Sequence, residues 1–591
     1  MNNEQIIPNK SKSDTPTFSV FSEGKAVSPT YQFLAIAIVK EVNRIPTAKL
    51  VIRDGEASES DFAFSNKADF APGSKIELKS GMDGDDDTAF KGIVIKHSIK
   101  VRENGDAHLI IECKDESVKM TIGRHNKYYE DNKDSDIISE LLGKHGVKGK
   151  VDATKVKHKE VVQHYCTDWD FVLSRAEMNG LLIIVDDGKV NVQAPDTSKK
   201  PLLNLKYGGT LIEFEAEMDA RYQWKKVEAK AWDYSSQKLF ETQSSSTAFK
   251  DHGNIAGGKL SGVVGLDAYE LQHSGYVEDG ELKAWADAAM LKSRLAKIRG
   301  RARIQGMVAK LKPGEMVELG GVGERFNGNA YVTAVQQELV NGTVYTNVQF
   351  GLAPKWFYRN DDVIDAPAAG LLPAVHGLMI GKVVKLGGDP NGQDRIQVKC
   401  PVIDDKAKGV WARLASQDAG KSRGWVTRPE IGDEVIVGFV NGDPRDAIVL
   451  GQLHSGKHPA PIPADDGNNL KGYTSRSGMK MTFDDGKKVI IIKTPGGNSL
   501  TISEEKMMIE IKDQNGNSCK MDPKGIEMKS IKDIKIDAKG KIDIKALLGI
   551  KMFGGIQISA KAAALSLLGA ASAKLSSAGI TKIKGKLLKL N

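Results

Sequence analysis

The last seventy residues of the chain repeat in eights. Ile526/Met528, Ile534/Ile536, Ile542/Ile544, Ile550/Met552 and Ile558/Ala560 are five successive apolar pairs, each eight residues from the last. One polar position separates the members of a pair, which is the period of a strand rather than a helix. After Ala560 the phase slips by one, and Leu565/Leu567, Ala573/Leu575 and Thr581/Ile583 carry the pattern on. A short fixed period points to a stacked, quasi-one-dimensional structure. Eight residues supply one strand and one corner, whereas a coil closed by a single chain takes roughly 18 to 25 residues per turn. Three parallel copies could each supply one side, their apolar faces meeting on a common axis. The segment is therefore predicted to be one third of an intertwined trimeric β-helix or β-prism. Its axis would carry Ile526, Met528, Ile534, Ile536, Ile542, Ile544, Ile550, Met552 and Ile558. The competing reading is an ordinary antiparallel sheet with alternating faces, but sheets seldom hold one period over five units.

Upstream, the pattern is of short strands broken by turn residues. Tyr31 to Val39, Ala48 to Ile52, Phe90 to Ile95 and His108 to Ile111 are predicted strands. Asp83 to Asp87 falls in one of the intervening turns, and its spacing is not that of an EF-hand loop. A short helix is predicted from Ser135, as N-cap, through Leu142. Thr167 with Asp170 three residues on caps a second helix, closed by Gly180. Leu181 to Val185, Asp186-Asp-Gly188 and Val190 to Val192 read as a hairpin. Strands at Leu211 to Met218 and Lys225 to Trp232 precede an amphipathic helix from Glu281 to Ile298, ended by Gly300, and further strands run to about Phe350. A proline-bearing stretch, Asp365 to Pro373, marks a boundary. Five short strands then follow in about eighty residues: Gly377 to Leu386, Arg395 to Lys399, Val410 to Leu414, Glu434 to Val440 and Ala447 to Gln452. That density fits a small OB-type barrel.

The fold expected is mainly β: a β-barrel-like hub with short helices, an OB barrel and a C-terminal trimeric needle. The expected division is 1–17 a flexible tail, 18–365 the hub with two barrel-like subdomains, 366–375 a linker, 376–455 the OB domain, 456–475 a second linker and 476–591 the needle.

Composition sharpens this. A chain of 591 residues holds several domains, and sixty glycines with 6% aromatics suit strands and turns. Cys113, Cys166, Cys400 and Cys519 lie far apart without metal-ligand spacing, so a disulfide framework is not expected, and folding in a reducing compartment is. No signal peptide is read at the polar N-terminus, and no run of about eighteen apolar residues spans a membrane. Residues 523–591 hold fourteen Lys against Glu527, Asp533, Asp537 and Asp543, a net +10, so the other 522 residues sum to −2 of the total +8. That tail has no Arg, His, Trp or Tyr, the residues with which nucleic-acid binders contact phosphates and bases. A solvated Lys surface that keeps strange strands away is expected, with no nucleic-acid partner.

Residues 376–453 resemble the OB domain of VgrG (valine-glycine repeat) and phage tail-spike proteins. The likeness lies in Asp394 to Val398, Val410-Trp-Ala-Arg413, Ala419-Gly420 with Arg423-Gly424, Pro429-Glu-Ile-Gly-Asp-Glu-Val-Ile-Val-Gly-Phe439, Gly442-Asp-Pro-Arg445 and Ile448-Val-Leu-Gly451. Its signature positions are Trp411, Pro429, Gly432, Asp433, Glu434, Val435, Gly438, Phe439, Gly442, Asp443, Pro444 and Gly451. Tyr165, Asp168, Trp169 and Phe171 are similar to the helix entry of that family's hub, where the aromatics are expected to pack the helix. Pro313 to Val317 and Phe326 to Gly328 also fit the hub. The resemblance implies a homotrimer that adapts a hexameric inner tube to a membrane-puncturing needle and delivers effector cargo. It also implies baseplate proteins and a PAAR-type tip as partners, transient contact with a target membrane, no cofactor, and assembly in the bacterial cytoplasm before ejection or release. No lysozyme domain fits in the Ser455 to Ser475 linker, so toxic activity is expected to belong to partners.

Phosphate-loop, HExxH and GxSxG patterns are absent from the sequence, and Gly320-Gly-Val-Gly323 is too short for a dinucleotide fingerprint. The scattered His97, His108 and His125 read as surface or packing residues. A mechanical rather than enzymatic role is expected. The alternatives are a trimeric host-binding fibre, or a spike with hidden envelope-degrading activity, since paired carboxylates across a glycosidic cleft leave no sequence mark.

Overall fold

The computed structural model describes residues 16–82, 85–103, 106–340, 342–360 and 362–590. The protein is mainly β. Residues up to Phe350 hold one thirteen-stranded sheet, with two two-stranded sheets and a three-stranded one beside it in the sequence. Its central strands are Thr343–Phe350, Gly328–Val340, Phe33–Glu41, Thr47–Arg53 and Ala107–Lys114, each antiparallel to the next. Alternation decides what they bury. Ile36, Ile38, Leu50, Ile52, Leu109 and Ile111 enter one core with Phe70 and Phe90. Leu203, Leu205, Val317, Val332, Val348 and Phe350 form a separate one. The first strand begins at Pro16, inside the segment expected to be a tail; residues 1–15 lie outside the described residues. The strand expected at Phe90 to Ile95 is part of a longer one, Asp85–Val101. Met82 pairs with Asp85 across the acidic turn, whose residues 83–84 lie outside the described residues.

The helices differ from expectation at their ends. The first runs Asp134–Lys144 and begins one residue before Ser135. Asp134 has taken another task, discussed below. The second, Asp168–Met178, is capped as expected: the Thr167 hydroxyl accepts the Asp170 amide at 3.0 Å, and Gly180 has φ +70°. The hairpin after it pairs Leu182–Asp186 with Lys189–Gln193 around Asp187 and Gly188, both at positive φ, which matches strand twist. The third predicted helix stops at Leu295 rather than Ile298. Ile298–Gln305 is a sheet strand, and Gly300 lies inside it rather than ending the helix. A Cβ there would sit 2.4 Å from the Glu215 carbonyl oxygen and 2.6 Å from the Phe350 ring. That glycine answers to packing, not to capping.

Met379–Lys385, Ile396–Lys399, Val410–Leu414, Ala447–Gln452 and Glu434–Phe439 close a five-stranded barrel. Its filling is Val383, Ile396, Val398, Ala412, Val435, Val437, Ala447 and Val449.

The C-terminal segment has two parts, where one was expected. Leu470–Thr474, Lys480–Asp484, Val489–Lys493, Ser499–Ser503, Met508–Lys512, Ser518–Asp522 and Gly525–Lys529 form a seven-stranded antiparallel meander. The first of these strands occupies part of the stretch expected to be a linker. The last contains Ile526 and Met528, so this first apolar pair belongs to the meander and not to the eightfold repeat. Both structures use strand alternation, and the pair alone could not tell them apart. The meander has its own period: strands at Lys480, Ser499 and Ser518 start nineteen residues apart, as do the loop glycines Gly478, Gly497 and Gly516, all at positive φ. From Ile531 to Leu590 the described chain pairs with no strand of its own, and every residue is exposed. It bends at 531–532, 539–540, 547–548, 555–556, 563–564, 570–571 and 578–579. The bends keep the octad, with one step of seven where the sequence slips.

Candidate assembly surface

Register makes the meander two-faced. Tyr473, Met481, Ile492, Leu500, Ile511, Cys519 and Met528 stand opposite one another across all seven strands. Two residues along, on the same face, run Lys471, Phe483, Ile490, Ile502, Ile509, Met521 and Ile526. The opposite face carries Thr474, Lys480, Lys493, Ser499, Lys512, Ser518 and Lys529 in one row. Thirteen of fourteen positions on the first face are thus apolar, and none of them is buried within the chain. Ile492, Leu500, Ile511, Cys519 and Met528 line a groove of about 560 Å³ that reaches Ile534, the next apolar position of the chain. Loops hold the register: Asn498 Oδ1 accepts the Gln514 amide and Asn517 Oδ1 the Ile531 amide, each at 3.0 Å.

Such a face is costly in water, since burying one large apolar side chain is worth about 1.5–3 kcal/mol. Monomeric proteins rarely expose apolar patches of more than a few hundred Å². Ile534, Ile536, Ile542, Ile544, Ile550, Met552 and Ile558 continue the exposure through the octads, as do Ile526 and Met528 at the meander's end. The meander rows are exposed apolar positions that the octad count missed. The signal was present in the sequence: alternating apolar residues between Gly-bearing loops nineteen residues apart.

The OB signature residues fall on the barrel and its turns. Trp411 is half-buried in its strand, Pro429 is buried, and Gly432 at φ +97° with Asp433 leads into Glu434–Phe439. In that strand Glu434 is exposed, Val435 and Gly438 are buried and Phe439 is half-buried. Gly442 at φ +71° follows, Asp443 accepts the Arg445 guanidinium at 2.6 Å, Pro444 is half-buried and Gly451 lies in the last strand.

In the hub, Trp169 and Phe171 are buried, and Phe171 stacks on Tyr129 with centroids 5.9 Å apart. Tyr165 does not pack that helix, contrary to expectation. It is exposed at φ +41°, with the Arg124 guanidinium 5.9 Å from its ring centroid. Asp168 is fully buried and accepts Lys144 Nζ and His145 Nε2 at 2.7 Å and Gln163 Nε2 at 2.8 Å. Burial would raise its pKa, but these hydrogen bonds, Lys144's first, hold it below the ordinary carboxylate range. A second buried carboxylate, Asp134, accepts Arg175 through Nε at 2.5 Å and Nη2 at 2.9 Å, His158 Nε2 at 3.0 Å and Asn179 Nδ2 at 2.8 Å. Its pKa is likewise pressed down, against burial, by His158 and Arg175. Both clusters tie helices to strands within the protein. Among the described residues no group of three or more His, Cys, Asp or Glu is placed to hold a metal ion.

Residues 12–341 match the model of the Alg8 N-terminal domain, and residues 379–454 that of the type VI secretion system/phage-baseplate injector OB domain. The spike protein VgrG1b of the Pseudomonas aeruginosa type VI secretion system is 24% identical over 390 residues. The chain belongs to the family of the Alg8 N-terminal domain, and the curated relatives it resembles are named VgrG spike proteins. The match to VgrG1b takes in 61% of this chain and 51% of that protein. Spike protein VgrG3 of Vibrio cholerae is 34% identical over 101 residues, 16% of this chain and 10% of that one. The chain thus spans at most about half the length of these relatives. A solved E. coli component of the type VI secretion system superposes at TM-score 0.36 and 12% identity, over 73% of this chain and 99% of that one. A likeness that loose carries no weight here.

Proposed function

We propose that the chain is one of three identical subunits of the spike at the tip of a contractile injection apparatus, either a type VI secretion system or a released phage-tail-like particle. One observation carries the reading: an apolar face runs along the meander and the octads, and none of the described residues covers it. Two further copies of the same face, arranged around a threefold axis, bury all three at once, which is the closed symmetry expected of a homo-oligomer. Backbone hydrogen bonds of the octads then run between chains, and the axis is packed with Ile, Leu and Met, so the needle is stiff.

On this reading the role is mechanical and not catalytic, in keeping with relatives named as spike proteins. The hub meets a hexameric inner tube and baseplate proteins, the needle takes a PAAR-type tip, and effector cargo rides with the assembly. The trimer is built in the bacterial cytoplasm and then ejected or released, crossing a target membrane on the way. Light scattering on the purified protein tests the reading. A mass three times the 64.1 kDa chain is expected. Ile542→Asp or Ile544→Asp puts three like charges near one axis and abolishes the trimer. A stable trimer in both variants contradicts the shared axis.

A further inference from the structure

The octads do not keep one surface. In each, the first and third positions are the apolar pair, while the fourth, sixth and seventh lie beside it or at the bend. The first octads beyond the meander set charge at these outer positions: Asp537 and Lys545 at the fourth and Lys539 at the sixth. A position that accepts Lys or Asp in one repeat faces solvent in the next, because the repeats share one conformation. Between residues 546 and 568 the same positions are mostly apolar, with Lys561 the charged exception, and Lys584 and Lys586 return charge to the fourth and sixth places nearer the end. Leu547 and Leu548 take the sixth and seventh places of one octad, Ile556 the seventh of the next, and Phe553 and Leu568 the fourth. All five are among the most exposed large side chains of the protein. The acidic residues stop as well: after Asp543 none occurs up to Asn591, while eight lysines continue.

We propose that this distal stretch carries an outward apolar band fitted to an anionic phospholipid bilayer, a surface distinct from the axis and resting on the trimeric reading above. The axis pairs are spent on the other two copies, so the band remains outside. Apolar side chains among lysines, with no carboxylate to repel phosphate, match a headgroup–acyl boundary. Nucleic acid answers to the lysines but not to Leu547, Leu548, Phe553 and Ile556. Among the described residues no helix is long and apolar enough to cross a membrane.

Flotation of the full-length protein with phosphatidylcholine vesicles, with and without about one third phosphatidylglycerol, tests the proposal, and light scattering of the same samples gives the mass. The wild type is expected to float with the anionic vesicles. The variant Leu547→Ser, Leu548→Ser, Phe553→Ser, Ile556→Ser is expected to keep its trimeric mass and bind at least tenfold more weakly. Should those changes cost the trimer, Lys551→Glu with Lys561→Glu replaces them, with the same tenfold loss expected. Failure of the wild-type trimer to float, equal binding by a trimeric variant, or duplex DNA competing the vesicles away completely overturns the lipid band and leaves the trimer standing. A wild-type mass of one chain overturns the trimer itself.

Discussion

The hub and the C-terminal segment use the same alternation of apolar and polar residues to opposite ends. In the hub, Ile36, Leu50, Leu109 and Phe90 turn to a core that the chain itself completes. In the meander, Ile492, Leu500, Ile511 and Met528 line up as regularly, and none of the described residues closes over them. Side chains alike in hydrophobicity thus fill a core in one region and stay exposed on the chain in the other. The difference lies in connectivity. Long crossovers in the hub bring strands such as Phe33–Glu41 and Gly328–Val340 together from far apart in the chain, and the helices of the intervening segments pack in cores of their own with smaller sheets. The meander steps only to its immediate neighbour, so a single layer results, and a single layer has an uncovered face.

That contrast can be broken from either side. The largest effect confined to the hub is expected from Asp134→Ala, which leaves Arg175 and His158 buried without their carboxylate. Breaking a buried pair costs about 3–5 kcal/mol, measurable as a lower denaturation midpoint for the hub while the trimeric mass persists. The sign with pH follows from the depressed folded-state pKa of Asp134. Its contribution is full above the unfolded value near 4 and is lost as pH falls towards the folded value. The gap between wild type and variant should therefore narrow on acidification below about pH 4. A gap that widens there contradicts the assigned ion pair. A smaller effect is expected from Thr167→Ala, which removes the cap on the Asp170 amide and costs about 1 kcal/mol, again without change of mass.

Much of this was legible in the sequence, and what was not has physical causes. The cap at Thr167, the Asp187-Gly188 turn and the five barrel strands each depend on residues close together in the chain, and the structure contains them. The octad survived even its slip after Ala560, because repetition averages out local ambiguity. The helix expected through Ile298 fails because Ala296 and Ile298 fit both a helical face and a strand, and only the sheet partners Phe350 and Met218 decide between them. Tyr165 fails because the chain turns at that residue into a left-handed conformation. The ion pair between Asp134 and Arg175 joins two helices across 41 residues, and no local pattern reports it. The meander was hidden in plain alternation, its nineteen-residue period masked by the shorter repeat that follows.

The account turns on whether the octad segment is completed by other chains. Amide hydrogen exchange of the intact protein across residues 531–590 tests this most directly. A segment with no partner strands in its own chain exchanges at the rate of an unfolded peptide, whereas one bonded between three chains is protected for hours. Strong, uniform protection of the octads in a particle of trimeric mass is the predicted result; free exchange there in such a particle would contradict the shared spine.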